Sequence, residues 1–466
     1  MTERRASEGT ESSTNDEPDH VVTAFLRNRG EILVCKRSDA VGTYPGAWGG
    51  VSGFAEGEPD EQVWRAIDEE TGLTADEVSL VRAGRPVSVS DPEIDREWVV
   101  HPSLFDAASR EIDLSDEHTE AAWIPPTALA GDDAADASGT SERETVPKLW
   151  ATYERVAPTV RSIAADDDHG AAWLSIRAME VLRDRAGLLL RERTATADAE
   201  PDSESAVDAD GEWDELAAVA NRLLESRPSM AVLRNRVNRV LAEASTDGEA
   251  GAETDTPDAS SVLEAAIDGI ERAVTADADA ADRASEFATG RLLTLSWSGT
   301  VHDAILASDP DRIFVAESRP GREGVATAET LADTTAVTLC PDAAVAHVLA
   351  EEAIDTVLVG ADTILPDGRV VNKTGTRPAA LAAAREDVPV YVVAASDKIS
   401  TRETVNLESG DRTAVYDGDA RIDVTNPTFD VTPADCLAGL VTDQGILDPA
   451  DVERIAAEFR ENETWN

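Results

Sequence analysis

Residues 292–301 read LLTLSWSGTV, and the fold of the larger part of the chain turns on them. Leu292, Leu293 and Leu295 describe a buried strand, Gly299 follows two small hydroxyl residues, and a helix is expected from Val301 onward. Such a strand, turn and helix junction suits phosphate, because the first backbone N–H groups of a helix point outward along a favourable dipole. Downstream, RIFVAES, AVTLC, TVLVGAD and VPVYVVAA are further short apolar runs separated by helical stretches. Runs without polar alternation fit strands covered on both faces, and their alternation with helices predicts a doubly wound parallel sheet. Ligands of such sheets bind beyond the carboxyl ends of the strands, where Ser296 and Ser298 fall.

Upstream the pattern changes twice. Residues 160–285 predict a helical region: Trp173, Ile176, Met179, Val181 and Leu182 fall at amphipathic spacing, as do Val232, Leu233, Val237, Val240 and Leu241. Two Ala/Asp/Glu/Ser/Gly-rich segments, 194–212 and 244–260, read as loops inside it. Residues 18–155 predict an α+β domain. HVVTAFLR and EILVCKRS form two strands joined at Asn28–Gly30, with further strands in LVRAGRPVSVS and EWVVHPSLFD and a helix around 142–156. Residues 1–17 are polar and expected to be a disordered tail. The fold class is therefore α/β: an N-terminal α+β domain, a central helical region (160–285) and a doubly wound parallel sheet (286–466).

The 466 residues carry 93 acidic against 41 basic side chains, a net charge of −52. With 42% apolar residues in periodic segments, this reads as folded domains with a solvated carboxylate surface. A salt-rich cytoplasm, where screening acts within roughly 3 Å at 1 M salt, accounts for such a surface, so a halophilic source is expected. Direct binding to nucleic acid is not expected. Lysine is confined to Lys36, Lys148, Lys373 and Lys398. Cys35, Cys340 and Cys436 are far apart and form neither a disulfide framework nor a zinc motif. No apolar run reaches membrane-spanning length, so a soluble cytoplasmic protein is expected.

The stretch 53–73, GFAEGEPDEQVWRAIDEETGL, predicts one helix with a marked start at Pro59 and a stop at Gly72. Val63 and Ile67 face a core, and Arg65 is spaced to hold Glu69. Glu69 and Glu70, with Glu56 and Glu58 near the helix entrance, offer oxygen ligands to a divalent cation. This stretch resembles a Nudix box, with AFLRNRGEILVCKRS and EHTEAAWIPP resembling its flanking strands. The resemblance implies magnesium-dependent hydrolysis of a nucleoside diphosphate linked to another group, with manganese a substitute. It makes Arg65 the orienting arginine, Glu69 and Glu70 the paired catalytic glutamates, and Glu58, Glu69 and Glu70 the metal ligands. Ala66 stands where such a box usually has a glutamate, and the glycine loop is about one residue short, so a domain that recognises nucleotides without cleaving them, in a regulatory protein related to initiation factor 2B, is the alternative.

In the C-terminal half, VGADTILPDGRVVNKTGT places Asp362 after a strand, a hairpin at Asp367–Gly368, and Asn372 and Lys373 before a helix at Gly375–Thr376. ESRPGREG adds Arg319 and SRPSMAVLRN adds Arg227 and Pro228, arginines suited to a phosphorylated small molecule. With DHGAAWLSIRAMEVL and NPTFDVTPADCLAGLVTDQG, these blocks resemble the family that contains the α, β and δ subunits of initiation factor 2B, ribose-1,5-bisphosphate isomerase and methylthioribose-1-phosphate isomerase. The resemblance implies a site that binds a sugar phosphate or nucleotide through Arg227, Pro228, Ser296, Ser298, Gly299, Arg319, Asn372 and Lys373. It also implies Asp362 as a catalytic residue and a homodimer or higher oligomer. The isomerases' catalytic cysteine aligns with Ser296, whose hydroxyl is a far poorer proton carrier near neutrality than a thiol of pKa roughly 8.5. Loss of isomerase chemistry with retention of binding is the expectation. Cys340 is expected to be a small core residue.

Overall fold

The computed structural model describes residues 18–55, 57–130, 143–199, 209–246 and 257–465. The expected tail and Glu56 lie outside them, as do parts of the two Ala/Asp/Glu-rich segments. The chain divides into two compact units, residues 1–157 and 158–466.

The first unit is built on a mixed sheet. Strands β1 (Asp19–Asn28) and β2 (Glu31–Arg37) form a hairpin through Arg29 and Gly30, both at positive φ (52° and 77°), as a two-residue turn between right-twisted strands requires. Then come β3 (Trp48–Gly49), β4 (Val51–Phe54), helix α1 (Pro59–Thr71), β5 (Val78–Ala83), β6 (Val87–Asp91), β7 (Arg96–Ala107) and β8 (His118–Ile124). The order β3-β2-β1-β7-β5 is completed by β4 on β1, β6 on β7 and β8 on β2. Only β1 and β7 run parallel.

Helix α1 starts at Pro59, where a missing N–H costs nothing, and ends at Gly72 in the left-handed conformation. Val63, Ala66 and Ile67 pack on Val22, Leu26, Leu33 and Phe105. The helix expected around 142–156 is shorter: α2 covers Leu149–Tyr153 alone. Residues before it are drawn to the sheet edge, where Val146 N–H donates to Trp48 O.

In the second unit, α3 (Val160–Ala164), α4 (Ala171–Ala199), α5 (Ala209–Ser226), α6 (Ala231–Thr246) and α7 (Ala259–Ser285) share one core. Met179, Leu182, Leu233, Val237, Val240 and Leu241 lie in it, as their spacing predicts. The sheet follows: β9 (Gly290–Leu295), α8 (Gly299–Leu306), β10 (Pro310–Ala316), α9 (Glu323–Leu331), β11 (Val337–Cys340), α10 (Val345–Glu351) and β12 (Thr356–Gly360). A hairpin of β13 (Thr363–Ile364) and β14 (Val370–Lys373) leads to α11 (Thr376–Arg385) and β15 (Val390–Val393). The chain ends through β16 (Phe429–Thr432), β17 (Gly439–Thr442), β18 (Gly445–Leu447) and α12 (Pro449–Glu461).

Strand order is β11-β10-β9-β12-β15-β17-β18, parallel except for the last pair. Alternate residues feed two cores. Leu293, Val357 and Val359 meet α10, α11 and α12, while Leu292, Leu358 and Ile313 meet α7, α8 and α9. Chain order reverses between β9 and β12, and in open sheets of this kind a crevice forms outside the carboxyl ends at that point. Gly324 allows α9 to start hard against β10, since a Cβ there would lie 1.9 Å from Ala316 O.

Candidate functional sites

In the first unit a cavity of about 530 Å³ opens beside α1. Arg65, Ala66, Glu69 and Glu70 line it from the helix, with Arg37 and Glu117 from the strands and loops around it. Glu70 is 6% exposed, and its carboxylate accepts a 3.2 Å hydrogen bond from Ser52 N–H. Burial pushes its pKa up to about 8, the Ser52 bond and Arg37 pull it down, and the nearby Glu117 and Glu69 push it further. His118 Nε2 lies 3.6 Å from the same carboxylate, and burial holds that imidazole below its usual pKa. Cys35, behind Glu70, is raised to about 12 by burial and is a core thiol.

Glu69 is exposed at the cavity wall. The expected Arg65–Glu69 ion pair is not formed, although both side chains border the same space. Glu58 is the exposed residue before α1 and is not among the cavity-lining residues. Among the described residues no three histidine, cysteine or acidic side chains are grouped to hold a metal ion. Two carboxylates are nevertheless what magnesium commonly takes from protein when substrate phosphates and water complete its shell. A buried carboxyl pressed by two like charges is a donor set that a cation would relieve, so the residues present fit the ion.

In the second unit Ser296, Ser298, Gly299, Arg319 and Asp362 follow the carboxyl ends of β9, β10 and β12. The register Val357 opposite Leu293 sets Ser296 level with Gly360, two residues before Asp362. Ser298 caps α8 and packs on Gly360, where an added Cβ would lie 2.6 Å from Ser298 Oγ. Ser296 and Ser318 both have positive φ (60° and 62°), and Ser296 N–H donates to Ser318 Oγ at 2.7 Å. Asp342 fixes the turn after β10 by accepting from Ser318 N–H (2.8 Å) and Arg319 N–H (2.6 Å). No base is hydrogen-bonded to Ser296 Oγ among the described residues, so nothing activates that hydroxyl as a nucleophile.

Burial raises the Asp362 carboxyl, Lys398 and Lys373 oppose that, and Glu408 adds to it. Lys398 is 8% exposed and was not singled out from sequence, yet its rarity was a signal: both lysines of this unit bear on one carboxylate. Lys373 Nζ donates to Glu323 at 2.7 Å. The helix entrance at Gly375 is not an open phosphate site, because Gly375 N–H (2.8 Å) and Arg377 N–H (3.0 Å) donate to Asp430. Asn372 is turned to Thr376 Oγ1 at 2.9 Å.

Arg227 donates to the carbonyls of Ile163 and Asp166 and pins α3 to the entry of α6. Two residues on, past Pro228, Ser229 hydrogen-bonds Glu408. The Arg319 side chain is exposed and pairs with Glu317 at 3.1 Å. Cys340 is 8% exposed in the core.

The turn bearing Lys398 is clamped from the helical region. Asn235 Nδ2 donates to the carbonyls of Asp397 (2.8 Å) and Ile399 (2.7 Å), and Asp397 receives Arg236 and Arg239, each at 2.8 Å.

These two sites define a chain that joins a Nudix-type domain to a sheet of the kind shared by initiation factor subunits and sugar-phosphate isomerases. Residues 17–149 match the NUDIX domain model, and residues 167–449 match that of the Initiation factor 2 subunit family. The chain belongs to the latter family. It is 31% identical over 322 residues to ribose 1,5-bisphosphate isomerase of Haloferax volcanii, covering 66% of this chain and 94% of that protein. It is 37% identical over 187 residues to methylthioribose-1-phosphate isomerase of Pseudomonas aeruginosa, covering 36% of this chain and 51% of that protein. The chain thus spans about half the length of that second relative. The crystal structure of translation initiation factor eIF-2B from Pyrococcus horikoshii is similar at a TM-score of 0.49 and 24% identity, covering 63% of this chain and 97% of that one. Among the described residues no helix is long and apolar enough to cross a membrane.

Proposed function

We propose that the first unit is a magnesium-dependent hydrolase of nucleoside diphosphate derivatives and that the second binds a phosphorylated sugar or nucleotide. The observation that carries the first half is the cavity bordered at once by Glu69, Glu70 and Arg65. Glu69 and Glu70 would hold the ion, which would supply charge neutralisation of the diphosphate and, as manganese would in its place, a more acidic water. Ser52 N–H orients Glu70, and Arg65 and Arg37 meet the phosphate oxygens. Ala66 leaves the helical face one turn before Glu70 without a carboxylate, so the ion is held by fewer protein ligands.

For the second unit, support comes from the half-buried Asp362, on which Lys373 and Lys398 both bear, just past the strand where strand order reverses. Ser296 in place of a thiol favours binding over isomerisation. The acidic surface fits a halophile's cytoplasm, and assembly is as a homodimer or larger homo-oligomer.

The test is turnover of a panel of nucleoside diphosphate derivatives with magnesium in high salt, followed by phosphorus NMR. Wild type is expected to release nucleotide and Glu70→Gln to lose at least about a hundredfold in rate. Equal rates would sink the hydrolase reading.

A further inference from the structure

The cavity in the first unit has a second face that the carboxylates do not use. Trp98 and Tyr44 line it, their ring centroids 5.9 Å apart and tilted by 50°, with Val89 and Val100 beside them. Two hydrogen bonds fix Tyr44 and its turn. Its backbone is left-handed (φ 49°), a conformation that costs a bulky residue energy unless its surroundings enforce it. Its hydroxyl donates to Asp91 at 2.6 Å, and Arg37 Nε donates to the carbonyl of the preceding Thr43 at 3.0 Å. A strained, doubly anchored tyrosine tilted against a tryptophan is a fixed apolar corner open to the cavity.

Sheet register sets the distance from this corner to the carboxylates. Glu70 is bonded to Ser52, which pairs with Thr23 of β1. Trp98 of β7 pairs with Asp19 of β1. The two features are four residues apart along one strand, roughly 13 Å. That is the reach of a ribose with its phosphates, and the floor between them is formed by Val21 and Val100, which are paired across the two strands and both line the cavity.

We propose that the Tyr44–Trp98 corner is the subsite for the planar base of a nucleoside diphosphate, placing the base there and the diphosphate at Glu69 and Glu70. The proposal rests on the hydrolase reading for the position of the phosphates, and adds which end of the substrate is recognised and by what. Diphosphates without an aromatic ring are then poor ligands, because only the phosphate half of the cavity contacts them.

The experiment is calorimetric binding of ADP and of inorganic pyrophosphate to the full chain with magnesium in high salt, for wild type, Tyr44→Leu, Trp98→Leu and Trp98→Phe. Base stacking on an aromatic ring predicts that the ratio of ADP to pyrophosphate affinity falls about tenfold or more in Tyr44→Leu and Trp98→Leu and recovers in Trp98→Phe. Trp98→Leu risks the fold, whereas the less buried Tyr44 keeps the test available. An unchanged ratio overturns the proposal, as does failure of wild type to bind ADP more tightly than pyrophosphate. Ring-dependent ADP binding in a protein that hydrolyses nothing would uphold this subsite and remove only the hydrolase reading.

Discussion

Lys398 donates a 2.6 Å hydrogen bond to the carbonyl oxygen of Ala361, the residue that precedes Asp362. The ammonium thereby sits where it offsets the rise that burial imposes on the Asp362 carboxyl. In Lys398→Met the carboxyl is expected to titrate higher still. A charge-assisted contact contributes about 1.5–3 kcal/mol, so if the second unit binds a phosphorylated sugar as proposed, affinity for ribose 1,5-bisphosphate as probe should fall at least about tenfold in calorimetry at neutral pH. Undiminished affinity would take Lys398 out of the site.

Ala66→Glu restores a carboxylate one helical turn before Glu70, on a face that already borders the cavity. With magnesium present the variant is expected to turn over nucleoside diphosphate derivatives roughly tenfold faster, since one more anionic ligand tightens the ion. Without magnesium the extra charge beside Glu70 should lower the melting temperature. A magnesium-independent effect in both assays would show that position 66 does not face the ion.

Neutralising Asp397 leaves Arg236, whose side chain is 1% exposed, without the carboxylate charge that pairs with its Nε. Asp397→Asn is expected to cost roughly 3–5 kcal/mol in urea unfolding at fixed salt. Despite burial, which raises it, the two arginines hold the Asp397 carboxyl below its ordinary value. Its contribution is therefore present above the unfolded-state pKa and fades as pH falls through the lower folded value. The gap between wild type and variant should narrow in acid, and a constant gap would contradict this assignment.

Asp258 caps α7, accepting from Ser260 N–H (3.0 Å) and Ser261 N–H (3.1 Å), and it pairs with Arg193 at 3.1 Å. Burial pushes its carboxyl up, but the Ser260 hydroxyl (2.6 Å), the Ser261 N–H and Arg193 outweigh it and bring the pKa to about 2 from the usual 3.8. Asp258→Ala is expected to lose about 1 kcal/mol. That loss should be constant above about pH 5 and disappear between pH 3.8 and about 2, as read from acid unfolding curves of the two proteins.

The strands of the second unit were legible because both faces of the sheet are covered. Each strand is then a plain apolar run, such as Leu292–Leu295 or Val357–Val359, and the turns between carry their own punctuation. Helix α1 was equally plain, from Pro59 and Gly72 and the core spacing of Val63 and Ile67. What escaped were contacts between distant segments. Asp430 takes the amides at the start of α11 from 55 residues downstream, and no local pattern announces that. Arg65 and Glu69 have the right spacing for an ion pair, but both border open space and do not close on each other. Lys398 was counted among four lysines without being placed, because contacts between distant segments, the Asn235 clamp and the Ser400 N–H on Ile364 O among them, put it beside Asp362.

The reversal of strand order between β9 and β12 also governs how the second unit comes into being. Strands β9, β10 and β11 emerge consecutively and can pair at once, whereas β12 follows only after three helices have been made. Until then β9 presents a bare, apolar edge during synthesis, the kind of template on which partly made chains associate. Strand β12 closes that edge and delivers Asp362 in the same step, so covering the exposed strand and placing the carboxylate are one event.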